Sequence, residues 1–312
     1  MNRNQTVLNP GVAGEVRYTA DPGLDRALPA RNLLIDFSIV TPTFKQPDWL
    51  RLCAASVSDQ EGVNVEHIIQ DGGDGRGLEW LKNEPRARLY VEQDRGMYDA
   101  LTKGISKSAG SIIAHLNSDE QYLPGALNSV KEFFDTHPDI DVLFGDAILI
   151  DAEGNPLSYR RILLPLRSHT LACHLGTLTC STFFRRSLVE RRLSYTAEWR
   201  MSGDAALVLG WLDAGVKMAT IPQPLAVFTF TGVNLGASSE ARQEGARRRA
   251  KSSLGRFGLP PFLVAQHRLR KFFGGAYQAR AIETKIFTRK SPETRQTFRV
   301  RKLGFRWPKR AE

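Results

Sequence analysis

Two adjacent carboxylates, Asp119 and Glu120, follow Ser111-Ile112-Ile113-Ala114-His115-Leu116, a short and mostly apolar run of strand length. A buried parallel strand that runs straight into such a pair delivers it to the carboxyl edge of a sheet, where open α/β folds bind their ligands. Two hard oxygen donors there suit Mg²⁺ or Mn²⁺ carrying a diphosphate. Three further acidic residues stand at breaks in the pattern. Asp71 opens Asp71-Gly72-Gly73-Asp74-Gly75, a turn that only glycine-rich sequence can make. Asp94 opens the turn Asp94-Arg95-Gly96 ahead of a helix. Asp204 lies in the first turn of a helix-like segment, where a carboxylate is favoured and can cap the helix.

Placing these residues at one edge demands a particular order of elements. Phe37 to Val40 reads as a strand broken by Thr41-Pro42-Thr43-Phe44, and Pro47-Asp48 starts a helix with Leu50, Ala54 and Val57 on one face. Residues 65–70 and 88–92 read as strands, with a short helix over 78–83 between them. Met97, Leu101 and Ile105 recur four apart, one buried stripe of a helix that Gly110 stops. Strand and helix alternate, with polar and glycine residues at each strand's carboxyl end, which predicts a parallel α/β sheet with right-handed crossovers. Further on, 123–137 reads as a helix, 142–150 as a strand, 205–214 as a helix, and 219–221 and 225–231 as two strands. The stretch 157–176 is irregular.

The chain has 312 residues, 42% hydrophobic and 24% charged, as a soluble globular protein does. The expected organisation is an irregular lead-in over 1–34, an α/β domain over 35–238, and a basic, mainly helical extension over 239–312. Cys53, Cys173 and Cys180 are odd in number and not spaced as metal ligands, so they read as buried thiols of a reducing compartment. No run spans a bilayer and the N-terminus lacks the apolar core of a signal peptide, so a cytoplasmic location is expected. The net charge of +10 hides an asymmetry: from Ala241 onward 20 Lys and Arg face 4 Asp and Glu, while the preceding 240 residues carry 23 against 29. An acidic body with a basic tail suggests a polyanionic partner for the tail alone.

Taken together, several stretches resemble the inverting family 2 glycosyltransferases of the GT-A fold. They are SIVTPTF at 38–44, SVSDQ at 56–60, IIQDGGDG at 68–75, EQDRGMYDALTKGISKSAG at 92–110 and LNSDE at 116–120. GDA at 145–147, STFFRR at 181–186 and SGDAALVLGWLDAG at 202–215 follow in the family's order. The resemblance implies a Rossmann-like, mostly parallel sheet flanked by helices, and transfer of a sugar from a nucleoside-diphosphate sugar. It implies that Thr41 and Pro42 border the nucleotide base, that Asp71 accepts a hydrogen bond from the base, and that Asp94 is a further nucleotide contact. Asp119 and Glu120 fall on the metal-binding position, with Asp119 also facing the donor's diphosphate. Asp204 falls on the general base that takes a proton from the acceptor hydroxyl, and one base with direct displacement implies inversion. The implied acceptor is a glycan or lipid-linked glycan, as in envelope polysaccharide or lipopolysaccharide assembly. Four features depart from the family: the glycine turn Asp71-Gly72-Gly73-Asp74 is shorter than the family's, Glu120 replaces Asp, Thr102 replaces Asn before Lys103, and Thr179-Cys180 replaces a His.

Other readings stand beside these. Asp119 and Glu120 also fit a solvated strand end, and Asp71 and Asp94 ordinary turns. His169 and His174 read as loop surface or acceptor contacts, because no matching ligand set accompanies them. The basic tail, with Phe262, Phe272, Phe273, Phe287, Phe305 and Trp307 interleaved, fits peripheral contact with an anionic membrane surface. A nucleic-acid-binding protein on the same scaffold would also use such a tail, but the acidic body and the lack of a nucleic-acid module argue against it. A catalytically inactive partner subunit is a third reading, motivated by Glu120 and the shortened glycine turn.

Overall fold

The structure, a computed structural model, describes residues 35–232, 239–250 and 261–308. The lead-in 1–34 and the boundary at Ser238 lie outside the described residues. Strands β1 (Phe37–Thr43), β2 (Val65–Asp71), β3 (Ala87–Val91) and β4 (Ile112–His115) lie in parallel in the order β3-β2-β1-β4. Helices α1 (Pro47–Ser58) and α2 (Met97–Ser106) are two of the crossovers. β2 is buried throughout although it carries Glu66 and His67, and both side chains find partners inside. Glu66 accepts from Ser38 Oγ at 2.6 Å, and His67 Nε2 meets Thr41 Oγ1 at 2.8 Å. Gly104 lets α2 lie close on β1, since a Cβ there would sit 2.4 Å from Val40.

Beyond β4 the sheet departs from the mostly parallel expectation and is mixed. After β5 (Gln121–Tyr122), α3 (Ala126–Thr136), β6 (Val142–Asp151), β7 (Pro156–Arg160) and α4 (Arg167–Ala172), strand β8 (Thr182–Arg185) enters antiparallel between β4 and β6. The connection from β7 to β8 runs through α4 and a tight turn over Thr179–Ser181, and both strands lie antiparallel to β6. Helices α5 (Ser187–Glu190) and α6 (Gly203–Asp213) precede β9 (Met218–Phe230), which pairs parallel with β6 and antiparallel with β5. β9 is one strand where two were expected. Pro222 and Pro224 break its sequence pattern, and the ladder absorbs them in register shifts around Asp146. α1 and α3 cover one face of the sheet through Cys53, Val57, Leu127 and Phe134. α2 and α6 cover the other through Leu101, Ile105, Val208 and Trp211. Each large side chain so buried is worth roughly 1.5–3 kcal/mol.

Among the described residues the extension is mixed, with nearly as much strand as helix rather than mainly helix. Helices α7 (Ser239–Ala250) and α8 (Pro261–Phe273) are followed by an antiparallel hairpin of 9 and 13 residues, β10 (Arg280–Thr288) and β11 (Ser291–Leu303). Its turn, Arg289-Lys290, lacks the Asn-Gly signal of a two-residue hairpin, and its outward face is charged, which hides the alternation. Its inward face is not isolated from the body: Ile286 and Leu303 join Leu123, Ile148, Ile150, Tyr159 and Val227 in one core.

Candidate active site

The carboxyl ends of β1, β2 and β3 hold the first part of the site. Asp71 closes β2, and its Oδ2 accepts the Gly75 N–H at 2.9 Å, which ties the glycine turn back onto the strand. Asp94 lies against this turn: a Cβ on Gly72 would sit 2.2 Å from Asp94 Oδ2. The same carboxylate accepts the Gly96 N–H at 2.8 Å, and Gly96 has φ +124°, a region open to glycine. Asp71 and Asp94 are thus brought together. Burial raises the Asp71 carboxyl above its ordinary range, and the charges of Asp74 and Asp94 add to the rise against hydrogen bonds from Gly75 and Gly73. A cleft of about 300 Å³ opens beside Asp71, walled also by Thr43, Lys45, Gln46 and Arg76. Lys45 holds a left-handed backbone, φ 55°, which a non-glycine residue adopts at a cost. Thr41 and Pro42 are inside the strand. The Thr41 hydroxyl turns into the core toward His67 and Cys53, while Thr43 is the strand's last residue and faces the cleft.

Asp119 and Glu120 follow β4 in the turn Asn117–Glu120 and differ in burial. Asp119 is half-buried, whereas Glu120 is 1% exposed, with Oε2 accepting the Asn117 N–H at 2.8 Å. Its other oxygen, Oε1, is buried with no hydrogen-bond partner. Burial raises both carboxyls above their ordinary range, and the Asp119 charge adds to the rise at Glu120. Among the described residues no Lys or Arg pairs with either. Two desolvated, uncompensated carboxylates with one orphaned oxygen fit a divalent cation, because hard oxygen donors are what Mg²⁺ and Mn²⁺ take. The turn abuts the cleft: Ser118 Oγ donates to Gln46 Oε1 at 2.7 Å.

Asp204 stands at the start of α6, its Oδ1 accepting the Ala205 N–H at 2.7 Å. The Tyr98 hydroxyl is hydrogen-bonded to it. This approach needs Gly203, where a Cβ would lie 2.7 Å from the Tyr98 ring. Tyr98 stacks on Tyr195 at 5.8 Å between centroids. The Tyr195 hydroxyl lies 3.3 Å from His115 Nδ1, and His115 Nε2 lies 2.8 Å from Asn117 Oδ1. Burial lowers His115 to about 4 against the Asn117 hydrogen bond, so the imidazole is neutral at neutral pH. Burial pushes the Tyr195 hydroxyl up, and the charges of Asp204 and Glu120 add to the rise, so that hydroxyl feels both carboxylates. A connected aromatic and polar path therefore joins Asp204 to the Asn117–Glu120 turn.

The segment before Asp204 is held from the extension. Glu244 of α7 accepts the N–H groups of Arg200 at 3.1 Å, Met201 at 3.0 Å and Ser202 at 2.9 Å, and the Ser202 hydroxyl at 3.0 Å. Burial opposes its ionisation, but these four bonds hold the carboxyl below its ordinary range. Sequence reasoning passed over Thr43, Tyr98, His115, Tyr195 and Glu244. Tyr98 and His115 lie within the 92–120 stretch that carries the carboxylates and were legible as neighbours. Tyr195 and Glu244 come from segments without periodicity or motif, and nothing in the sequence marks them.

The described family Glycosyl transferase family 2 matches residues 38–193, half of the chain, and Asp204 lies beyond the matched stretch. A PGL/p-HBAD biosynthesis glycosyltransferase of Mycobacterium bovis is 25% identical over 54% of this chain. That match spans 66% of the relative, just under two thirds of its length. The fold is similar to that of S. aureus TarS 1-349 in complex with UDP-GlcNAc, with TM-score 0.53 and 17% identity over 77% of this chain and 73% of that one. It is also similar to that of the mannosyltransferase PcManGT from Pyrobaculum calidifontis in complex with GDP-Man and Mn²⁺, with TM-score 0.52 and 18% identity over 70% and 64%. Motif order, a helix-flanked α/β sheet and the family match over residues 38–193 agree, and the chain belongs to glycosyltransferase family 2.

Proposed function

We propose that the chain transfers a sugar, with inversion, from a nucleoside-diphosphate sugar to a hydroxyl of an acceptor glycan. Mg²⁺ or Mn²⁺ would be held by Asp119 and Glu120. The observation that carries this reading is the path from Asp204 through Tyr98, Tyr195 and His115 to the Asn117–Glu120 turn, which links a candidate base to a cation site across one buried cluster. When bound, the ion would supply Lewis-acid stabilisation of the departing diphosphate. Asp71 accepts a hydrogen bond from the nucleotide base, with Asp94 beside it and the backbone at Thr41 to Thr43 bordering the base. The Tyr98 hydroxyl orients the Asp204 carboxylate, which takes the acceptor's proton as that oxygen attacks the anomeric carbon. A single displacement of this kind inverts the centre. Tightly buried His115 and Tyr195 keep the two halves of the site in register.

The exposed face of α8 favours an acceptor carried at a membrane surface. Phe262, Leu269, Phe272 and Phe273 lie on that face at helical spacing, exposed to 58%, 59%, 67% and 82%. Arg268, Arg270 and Lys271 flank them. Large apolar side chains rimmed by cations suit an interface of anionic headgroups. A groove lined by Leu163, Leu164, Leu269 and Phe273 lies alongside. Among the described residues no helix is long and apolar enough to cross a membrane, so the contact proposed is peripheral. The reaction is tested by screening UDP-, GDP- and dTDP-sugars for Mn²⁺-dependent release of nucleoside diphosphate. EDTA and Asp119→Ala should abolish release, and Asp204→Asn should lower kcat by roughly 10²–10⁴-fold with donor binding kept. Full activity in EDTA would remove the cation, and normal turnover by Asp204→Asn would return that residue to helix capping.

A further inference from the structure

The irregular segment after β7 and helix α8 meet at three histidines. His169 lies in α4, His174 just after it, and His267 in α8. One ring nitrogen from each lies within 4.8 Å of the other two. His169 and His267 are buried and His174 is exposed. The His169 ring is centred 3.9 Å from His267 and 4.6 Å from His174. Both nitrogens of His267 are buried without a hydrogen-bond partner. A buried imidazole that satisfies neither nitrogen is costly, and a native structure rarely keeps one without a further ligand.

We propose that His169, His174 and His267 bind Zn²⁺, at a site distinct from the cation site at Asp119 and Glu120. Tetrahedral Zn–N bonds of 2.0–2.1 Å place ligating nitrogens about 3.3 Å apart. The trio has to close by about 1.5 Å at most, and the His169 and His267 rings, stacked at 21° to one another, have to turn out of the stack for their lone pairs to converge on one ion. Three imidazoles, with no carboxylate or thiol in the cluster among the described residues, select a borderline ion over hard Mg²⁺ or Mn²⁺. The exposed His174 leaves a fourth position open to water. Arg270 and Lys271, one turn further along α8, oppose a cation and lower its affinity; the Arg270 guanidinium is turned away to Leu164 O at 2.9 Å. The ion's role is structural. It clips α8 to α4, and so fixes the helix whose outer face carries Phe272 and Phe273.

The test uses the full chain stripped with EDTA, dialysed, and held in excess Mg²⁺ to occupy the hard site. Titration with ZnCl₂ should show about one saturable equivalent per chain and a rise in Tm. Co²⁺ in its place should give the intense visible bands of a tetrahedral nitrogen-ligated ion. His174→Ala, a surface change that leaves the core intact, and His267→Gln should each weaken Zn²⁺ by more than the 10–100-fold that loss of an outer partner costs, and abolish the Tm rise. Asp119→Ala should retain both. No saturable Zn²⁺ binding by the wild type, unchanged binding by His174→Ala, or loss of binding in Asp119→Ala would overturn the assignment.

Discussion

Removing the Glu244 carboxylate should slow the reaction without weakening donor binding. Its four hydrogen bonds reach three successive backbone N–H groups and the Ser202 hydroxyl, in the two turns of chain that lead into Asp204. Glu244 is a positioning residue, acting through the segment it holds. A hydrogen bond of this kind is worth about 1 kcal/mol net, more when the acceptor is charged, and Glu244→Ala leaves its donors to water because the site is half-open. Four bonds that act together on one loop are not additive, so about 1.5–3 kcal/mol is the reasonable loss of order in the 200–203 segment. If that loss falls on the transition state, kcat drops by roughly 10–100-fold at about 1.4 kcal/mol per tenfold. The donor's KM should change little, since Asp71 and Asp94 lie at the other end of the site. Glu244→Gln keeps one acceptor oxygen and should fall between wild type and Glu244→Ala. Steady-state kinetics supply the kcat and KM, and amide exchange should quicken at Met201 and Ser202 while β1 and β4 stay protected. Wild-type kcat with faster exchange would show that Asp204 does not depend on this loop. Wild-type kcat with unchanged exchange would show that α7 does not hold it at all.

Three further outcomes are expected of the same structure. Burial lowers His67 to about 3, below its ordinary value near 6.5, so the unfolded chain binds the proton first and stability is lost as pH falls from 6.5 toward 3. Between pH 6.5 and 5 this costs on the order of 2 kcal/mol; the raised carboxyls act in the opposite sense, so urea unfolding of wild type and His67→Leu at both pH values should differ by that amount, and parallel curves would refute it. Arg295 bridges Asp59, Lys285 O and Tyr122 O while lying over the Phe287 ring, so Arg295→Ala should cost about 2–3 kcal/mol and lower Tm by several degrees in a thermal melt. The full chain should co-sediment with vesicles containing anionic lipid and be released by salt, and Phe272→Ser with Phe273→Ser should reduce binding about tenfold or more; binding insensitive to lipid charge, or unaltered in the double variant, would remove the membrane contact.

The first half of the fold was legible because its strands end in chemistry. Phe37 to Val40, Ile112 to Leu116 and the stripe Met97, Leu101 and Ile105 are apolar patterns that local physics reads directly. Asp71, Asp94, Asp119 and Glu120 could be placed because each stands where such a pattern stops. The second half was harder, because its determinants are tertiary. β9 passes through two prolines only because β6 yields register around Asp146, which is itself buried and held by Tyr159, Arg161 and the Ile162 N–H. β8 enters between β4 and β6 by pairings far apart in sequence, which no local pattern specifies. The hairpin β10–β11 hides its alternation behind an outward face of Arg and Lys. The histidines at 169 and 174 seemed to lack a third ligand because His267 lies on a distant helix.

The extension is an architectural part of the site. Its hairpin pairs with β5 in both directions, since Gln121 Nε2 donates to Phe287 O at 3.0 Å and Phe287 N–H donates to Gln121 Oε1 at 2.9 Å. Gln121 follows Glu120 directly, so the hairpin holds the Asn117–Glu120 turn from behind. Glu244 of α7 holds the segment before Asp204 from the other side. α8 reaches the remaining irregular stretch through His267 and Leu263, the latter packed on Ala172 and Cys173. Three separate elements of one basic tail thus hold three short segments outside the four parallel strands. A sheet supplies strand ends with precision but leaves the loops beyond them to be fixed by whatever packs there. In this chain that work falls to the tail: among its described residues Leu263, Ile286 and Leu303 turn inward, while Phe262, Leu269, Phe272 and Phe273 of α8 form an outer stripe.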